Sequence, residues 1–283
     1  MTELRVVWRV AMGALRESFS SIRPYFVALL ALVLMRMASS DICQLCAQYG
    51  EKASVLPLFI YAFNATYYIL TLNFLFLVLA CDVPLRKNHQ RFIVLRCGRT
   101  AWAKGQILYL FLLAALYLAW VFFASIIAIL PHVSFSLDWG RVYYSLARVE
   151  LNGSLPFSQT IQEAFSAAEA FMICFSLKWL CMVFFGLMIY GINLATGKNI
   201  GMILPLVFLL LYFRLTNFIV GISWTLWISP VYLSRVQRCV GSLRHSAMGL
   251  PYAFCFFIVA IVVLGTCCVE LARRQRSGID MRN

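Results

Sequence analysis

Lys178 and Arg214 each lie about a dozen residues from the ends of a long apolar run, roughly 18 Å along a helix of ordinary rise. A cation at such depth in hydrocarbon costs at least about 2.5 kcal/mol and is tolerated when it faces a cavity or a partner. Two readings stand. The pair lines a pathway that meets anionic groups of a cargo, or each cation is satisfied locally, by Glu169, Asn193, backbone carbonyls or a break in the helix near Arg214. Other chemistry is sparse. His89, His132 and His245 fall in separate connectors, and there is no HExxH, no GxSxG and no paired carboxylate inside an apolar run. Asp82 and Glu270 sit near the ends of such runs, which disfavours a carboxylate proton relay. Cys43 and Cys46 form a Cys-x-x-Cys, suited to a disulfide or to half a zinc site, but no second Cys pair or His cluster completes one. Gly197–Lys198 is not a phosphate loop, because Ile192 and Asn199 stand where that pattern requires Gly and Ser or Thr. Catalytic, cofactor and metal residues are therefore expected to be absent from this chain.

The elements that hold these residues are long and greasy. The 283 residues are 63% hydrophobic and 12% charged, with a mean hydropathy of +0.84. A bilayer core takes about 20 apolar residues per helix. The pattern predicts an all-α membrane protein, one domain over 1–283, with six spans near 24–40, 55–81, 104–131, 166–194, 200–229 and 251–269. No connector is long enough for a separate soluble domain, which needs at least about 50 residues.

Net charge is +13, yet the basic residues gather at span ends as topology signals do, so nucleic acid is not an expected partner. With the N-terminus placed inside, the inner segments hold Arg5 through Arg23, Arg86 through Lys104, Lys198 and Arg273 through Arg282. The outer segments keep only Lys52, Arg141, Arg148, Arg235, Arg238 and Arg244. Both termini are expected in the cytoplasm. Residues 1–23 lack a signal-peptide core. Leu4, Trp8, Ala11, Leu15, Phe19 and Ile22 recur at three- and four-residue steps beside Arg5, Arg9, Arg16 and Arg23. This is an amphipathic helix for the headgroup plane, or else a basic flank of the first span.

The connector 81–106 is the most distinctive. Phe92, Val94 and Leu95 make an apolar face flanked by Arg86, Lys87, Arg91, Arg96 and Arg99, which predicts a short transverse helix. Gly98 suits its stop, Thr100 the N-cap of the next helix, and Trp102 the membrane interface. Asn64 and Asn73 are expected to bond neighbouring helices. Residues 156–165 suit a short outer helix, Asn152–Gly153–Ser154 a turn, and 228–251, bounded by prolines, an outer interfacial or re-entrant helix.

The amphipathic N-terminus, the six spans, the R-F-x-x-L-R-x-G-R-x-x-W pattern from Arg91 to Trp102 and the stretch Trp227–Pro230 resemble the membrane subunits of ABC-2 type ABC transporters. The resemblance covers most of the chain in layout. It implies a permease of an ABC exporter in a bacterial plasma membrane, with Arg91, Phe92, Leu95, Arg96 and Arg99 as contacts to a separate ATPase subunit. ATP and Mg would belong to that partner, since the chain has no Walker A pattern. A second permease chain, identical or related, would complete the pathway. The cargo would be an amphipathic peptide, lipid or drug, and membrane lipid the surrounding partner. A different class also fits the basic connector: a non-transport assembly or sensor protein that binds a soluble regulator there.

Overall fold

The computed structural model describes residues 3–84, 94–149, 159–217, 228–241 and 249–274. Among them the architecture is almost wholly helical. Helix α1 (Glu3–Phe19) turns by 71° into α2 (Arg23–Ala38), whose first turn carries Pro24, where a missing N–H costs nothing. Next come α3 (Ser40–Tyr49), strand β1 (Ala53–Ser54), α4 (Val55–Ala62) and α5 (Thr66–Ala80). Helix α6 (Arg99–Ala128) leads to strand β2 (Val133–Ser134), α7 (Gly140–Val149) and α8 (Gln159–Ala164). Then follow α9 (Ala167–Thr196), α10 (Ile203–Asn217), α11 (Pro230–Leu233), α12 (Val236–Gly241) and α13 (Leu250–Arg274).

Three helices, α6, α9 and α13, are long and apolar enough to cross a membrane, and the bent pairs α1–α2 and α4–α5 raise the number to as many as five. The expected six spans are thus only partly matched. The second is not continuous, because α4 and α5 meet at 84° across residues 63–65. The fifth begins as α10, and its expected second half at 218–227 lies outside the described residues. The expected turn at 152–154 lies outside them too, whereas α8 occupies the stretch expected to be a short helix.

Helix α9 is the centre, packing against α4, α5, α6, α10, α12 and α13. Residues 181–190 are buried on every side, as an all-round apolar helix requires. Its ends are written locally. Ser166 Oγ accepts from the Glu169 amide at 3.3 Å while the Glu169 carboxylate accepts from the Ser166 amide at 3.0 Å, a reciprocal cap. Gly197 closes the other end in the left-handed region with φ 72°.

The pairings define two ends of the bundle. At one, Arg23 pairs with Asp82, Lys104 Nζ reaches Glu3 at 2.6 Å, and α13 ends in Arg274, paired with Glu270. At the other, Arg36 donates to the Ala128 carbonyl at 2.7 Å, β1 pairs in parallel with β2, and Arg141 meets Glu51. Lipid-compatible surface runs between them, for example Tyr25, Phe26, Leu29 and Val33 on α2 and Ile258, Val259, Val262 and Val263 on α13, all exposed.

Candidate functional site

The basic connector enters and leaves the bundle through anchored residues. Asn193 of α9 donates from Nδ2 to the carbonyls of Cys81 and Val83, at 3.1 and 2.6 Å, and accepts the Gly201 amide on Oδ1 at 2.6 Å. One buried amide thus ties the exit of α5 to the α9–α10 turn. On the return, residues 94–97 form a helical turn, Gly98 takes φ 80°, and α6 starts at Arg99. Thr100 is therefore inside the helix rather than its N-cap, because glycine supplies the chain reversal that precedes it. Trp102, near the start of α6, is buried against the bundle and stands edge-on to Tyr190.

Leu95 is 81% exposed and Arg96 is exposed, while Arg99 is half-buried at the helix start. Val94 packs against the core. Arg91 and Phe92, and most of the expected transverse helix, lie outside the described residues. Helix α1 braces this region from the side: Val10, Ala11 and Ala14 are buried against α6. The approach is so close that a Cβ on Gly105 would lie 2.6 Å from Val10 Cγ1. An amphipathic helix is thus present at the expected place, with Leu4, Trp8, Phe19 and Ile22 exposed.

The two cations of the long apolar runs have unlike surroundings. Arg214 is exposed on α10. Lys178 is fully buried; its Nζ donates to Ser234 Oγ at 2.8 Å and stands 5.4 Å from the centre of the Phe63 ring. Neither Glu169 nor Asn193 is its partner: Glu169 caps α9 and Asn193 holds the connector. Sequence reasoning missed Arg235, assigned there to an outer segment. It is 3% exposed, donating to Tyr212 Oη at 2.6 Å and to the Asn64 carbonyl. Asn64 Oδ1 accepts the Gln237 amide at 3.2 Å, and its Nδ2 donates to the Ile60 carbonyl at 2.7 Å. The Ile60 and Asn64 carbonyls at the α4–α5 break are therefore each satisfied by a protein side chain. The available signal was the placing of Arg235 between Val231–Leu233 and Val236, an apolar setting for a connector cation.

Asn64 thus bonds another element as expected, but Asn73 turns its Nδ2 back to the Ile69 carbonyl of its own helix, at 2.7 Å. Cys43 and Cys46 are free thiols on α3, with the Arg36 guanidinium 3.5 Å from Cys43 Sγ. Burial, with Cys43 and Glu51 nearby, pushes the Cys46 thiol above its ordinary pKa. No protein-family model and no curated protein matches the chain.

Proposed function

We propose that this chain is the permease subunit of an ABC-2 type exporter in a bacterial plasma membrane, both termini cytoplasmic. It moves an amphipathic or hydrophobic cargo outward on ATP hydrolysed, with Mg, by a separate subunit. The observation that carries the reading is the exposed pair Leu95 and Arg96 at the root of a connector bolted to the bundle by Asn193, Arg23–Asp82 and α1. An apolar knob beside cations complements an acidic-rimmed cleft, and rigid anchoring lets motion of a docked motor reach α5, α6 and α9. Arg91, Phe92, Leu95, Arg96 and Arg99 form the docking set. A second permease chain supplies the other wall of the pathway, and Lys178 and Arg214 are its candidate cationic residues.

Affinity purification of the full chain in mild detergent tests this reading. The expected result is a co-purifying ABC ATPase whose turnover depends on the chain and is lost with Leu95→Glu/Arg96→Glu. Capture of a soluble protein without a nucleotide site, through the same residues, would replace the exporter with the assembly or sensor reading.

A further inference from the structure

Helix α1 lies across the bundle rather than along it. It meets α2 at 71°. Its partners on α6 are bunched: Glu3 reaches Lys104, Val10 abuts Gly105, and Ser18 lies beside the Tyr109 hydroxyl. From Glu3 to Ser18 a helix advances roughly 22 Å, whereas from Lys104 to Tyr109 it advances only about 8 Å. Helix α6 is long and apolar enough to cross a bilayer, and these contacts fall on its opening turns. With α6 along the bilayer normal, α1 lies near the bilayer plane, at the depth where the apolar helices begin.

Three stripes run along α1 when residues are placed about 100° apart. The first, Val10, Ala11, Ala14 and Ser18, is buried, with α6 as the principal partner. The second, Leu4, Trp8 and Phe19, is apolar and exposed. The third, bordering it, holds Arg5, Arg9 and Arg16, all exposed. No carboxylate separates the second stripe from the third: Glu3 is held by Lys104, and Glu17 falls on the side of the helix away from the apolar stripe. A helix facing water would carry polar residues where Leu4, Trp8 and Phe19 stand. The apolar stripe continues through exposed Ile22 onto Tyr25, Phe26 and Leu29 of α2, part of the lipid-compatible surface of the bundle.

We propose that α1 is a docking surface for anionic phospholipid. Leu4, Trp8 and Phe19 enter the acyl boundary, and Arg5 and Arg16 take lipid phosphates. An apolar stripe bordered by cations fits the plane where acyl chains meet headgroups, since one surface then meets both demands. A guanidinium suits a phosphate because two parallel N–H groups reach two of its oxygens. A net-negative headgroup is favoured over a zwitterionic one, which brings its own cation to the arginine stripe. The inference does not rest on the transport reading and holds without a docked ATPase.

The test reconstitutes the full chain in phosphatidylcholine vesicles. A fixed fraction of the lipid is replaced by brominated phosphatidylcholine or by brominated phosphatidylglycerol. The Trp8 signal is the wild-type fluorescence less that of Trp8→Phe. Quenching of Trp8 by both lipids is expected, severalfold stronger by the glycerol lipid at low ionic strength. The preference is expected to shrink as salt is raised, because exposed cations are screened. It is expected to vanish in Arg5→Gln/Arg16→Gln and to persist in Arg141→Gln, whose cation is exposed at the opposite end of the bundle. Equal quenching by the two lipids, or a preference that survives Arg5→Gln/Arg16→Gln, would overturn the proposal. So would the absence of Trp8 quenching, which would show the apolar stripe covered by protein, a second copy or a soluble partner.

Discussion

Asn64 serves three partners at once and so ties the α4–α5 break to the chain around Arg235 and Gln237. It returns one bond to Ile60, accepts the Gln237 amide, and offers its carbonyl to Arg235. Removing the side chain leaves the Gln237 amide and the Ile60 carbonyl short of a partner, at about 1–3 kcal/mol for each buried group left unsatisfied. Asn64→Ala is therefore expected to lower the thermal midpoint in detergent well below that of Asn73→Ala, whose side chain makes one bond within its own helix. An equal loss in both would show that the break does not depend on Asn64. A second expectation concerns the thiols. With its pKa raised, Cys46 holds less thiolate than an ordinary cysteine at a given pH, so in a Cys43→Ser background its maleimide rate should climb only at more alkaline pH. An ordinary thiol profile would show that Cys46 is not buried in solution. None of these partnerships was legible from composition: an amide in an apolar run announces a bond but not its acceptor.

Helices were readable where one physical signal dominated. The apolar run expected over 166–194 matches α9 to within two residues, and the structure closes that helix with the reciprocal Ser166–Glu169 cap and Gly197, local chemistry that the sequence also carries. The α4–α5 break was not readable, because Phe63–Ala65 contains neither Pro nor Gly and the kink is stabilised by Arg235 and Gln237, far along the chain. Thr100 misled for a related reason: its side chain suits a cap, but the reversal at Gly98 starts the helix two residues earlier. The seam between α1 and α6 gives a test at this level. Gly105→Val places new carbon against Val10 and the Val7 carbonyl, an overpacking that costs typically about 1–3 kcal/mol. The expected outcome is faster proteolysis of residues 3–19 with the rest of the bundle intact. Unchanged protection would mean that α1 is not held by this seam.

Charge separates the molecule into two ends. Arg23–Asp82, Glu3–Lys104 and Glu270–Arg274 mark one, and Glu51–Arg141 with the β1–β2 pair marks the other. These pairs are exposed and each contributes little to stability, so their value is as a record of which chain ends lie together. Apolar helices cross the interval, and Leu95 and Arg96 project at the first end. The exporter reading requires that end to face the cytoplasm. Arg96→Cys and Asp138→Cys, both at exposed positions near opposite ends, can be reacted in intact bacterial cells with a membrane-impermeant maleimide and compared with the wild-type chain. Labelling of position 138 in intact cells, and of position 96 only after permeabilisation, is the expected result. Labelling of position 96 from outside would contradict the account, since no cytoplasmic motor could reach it.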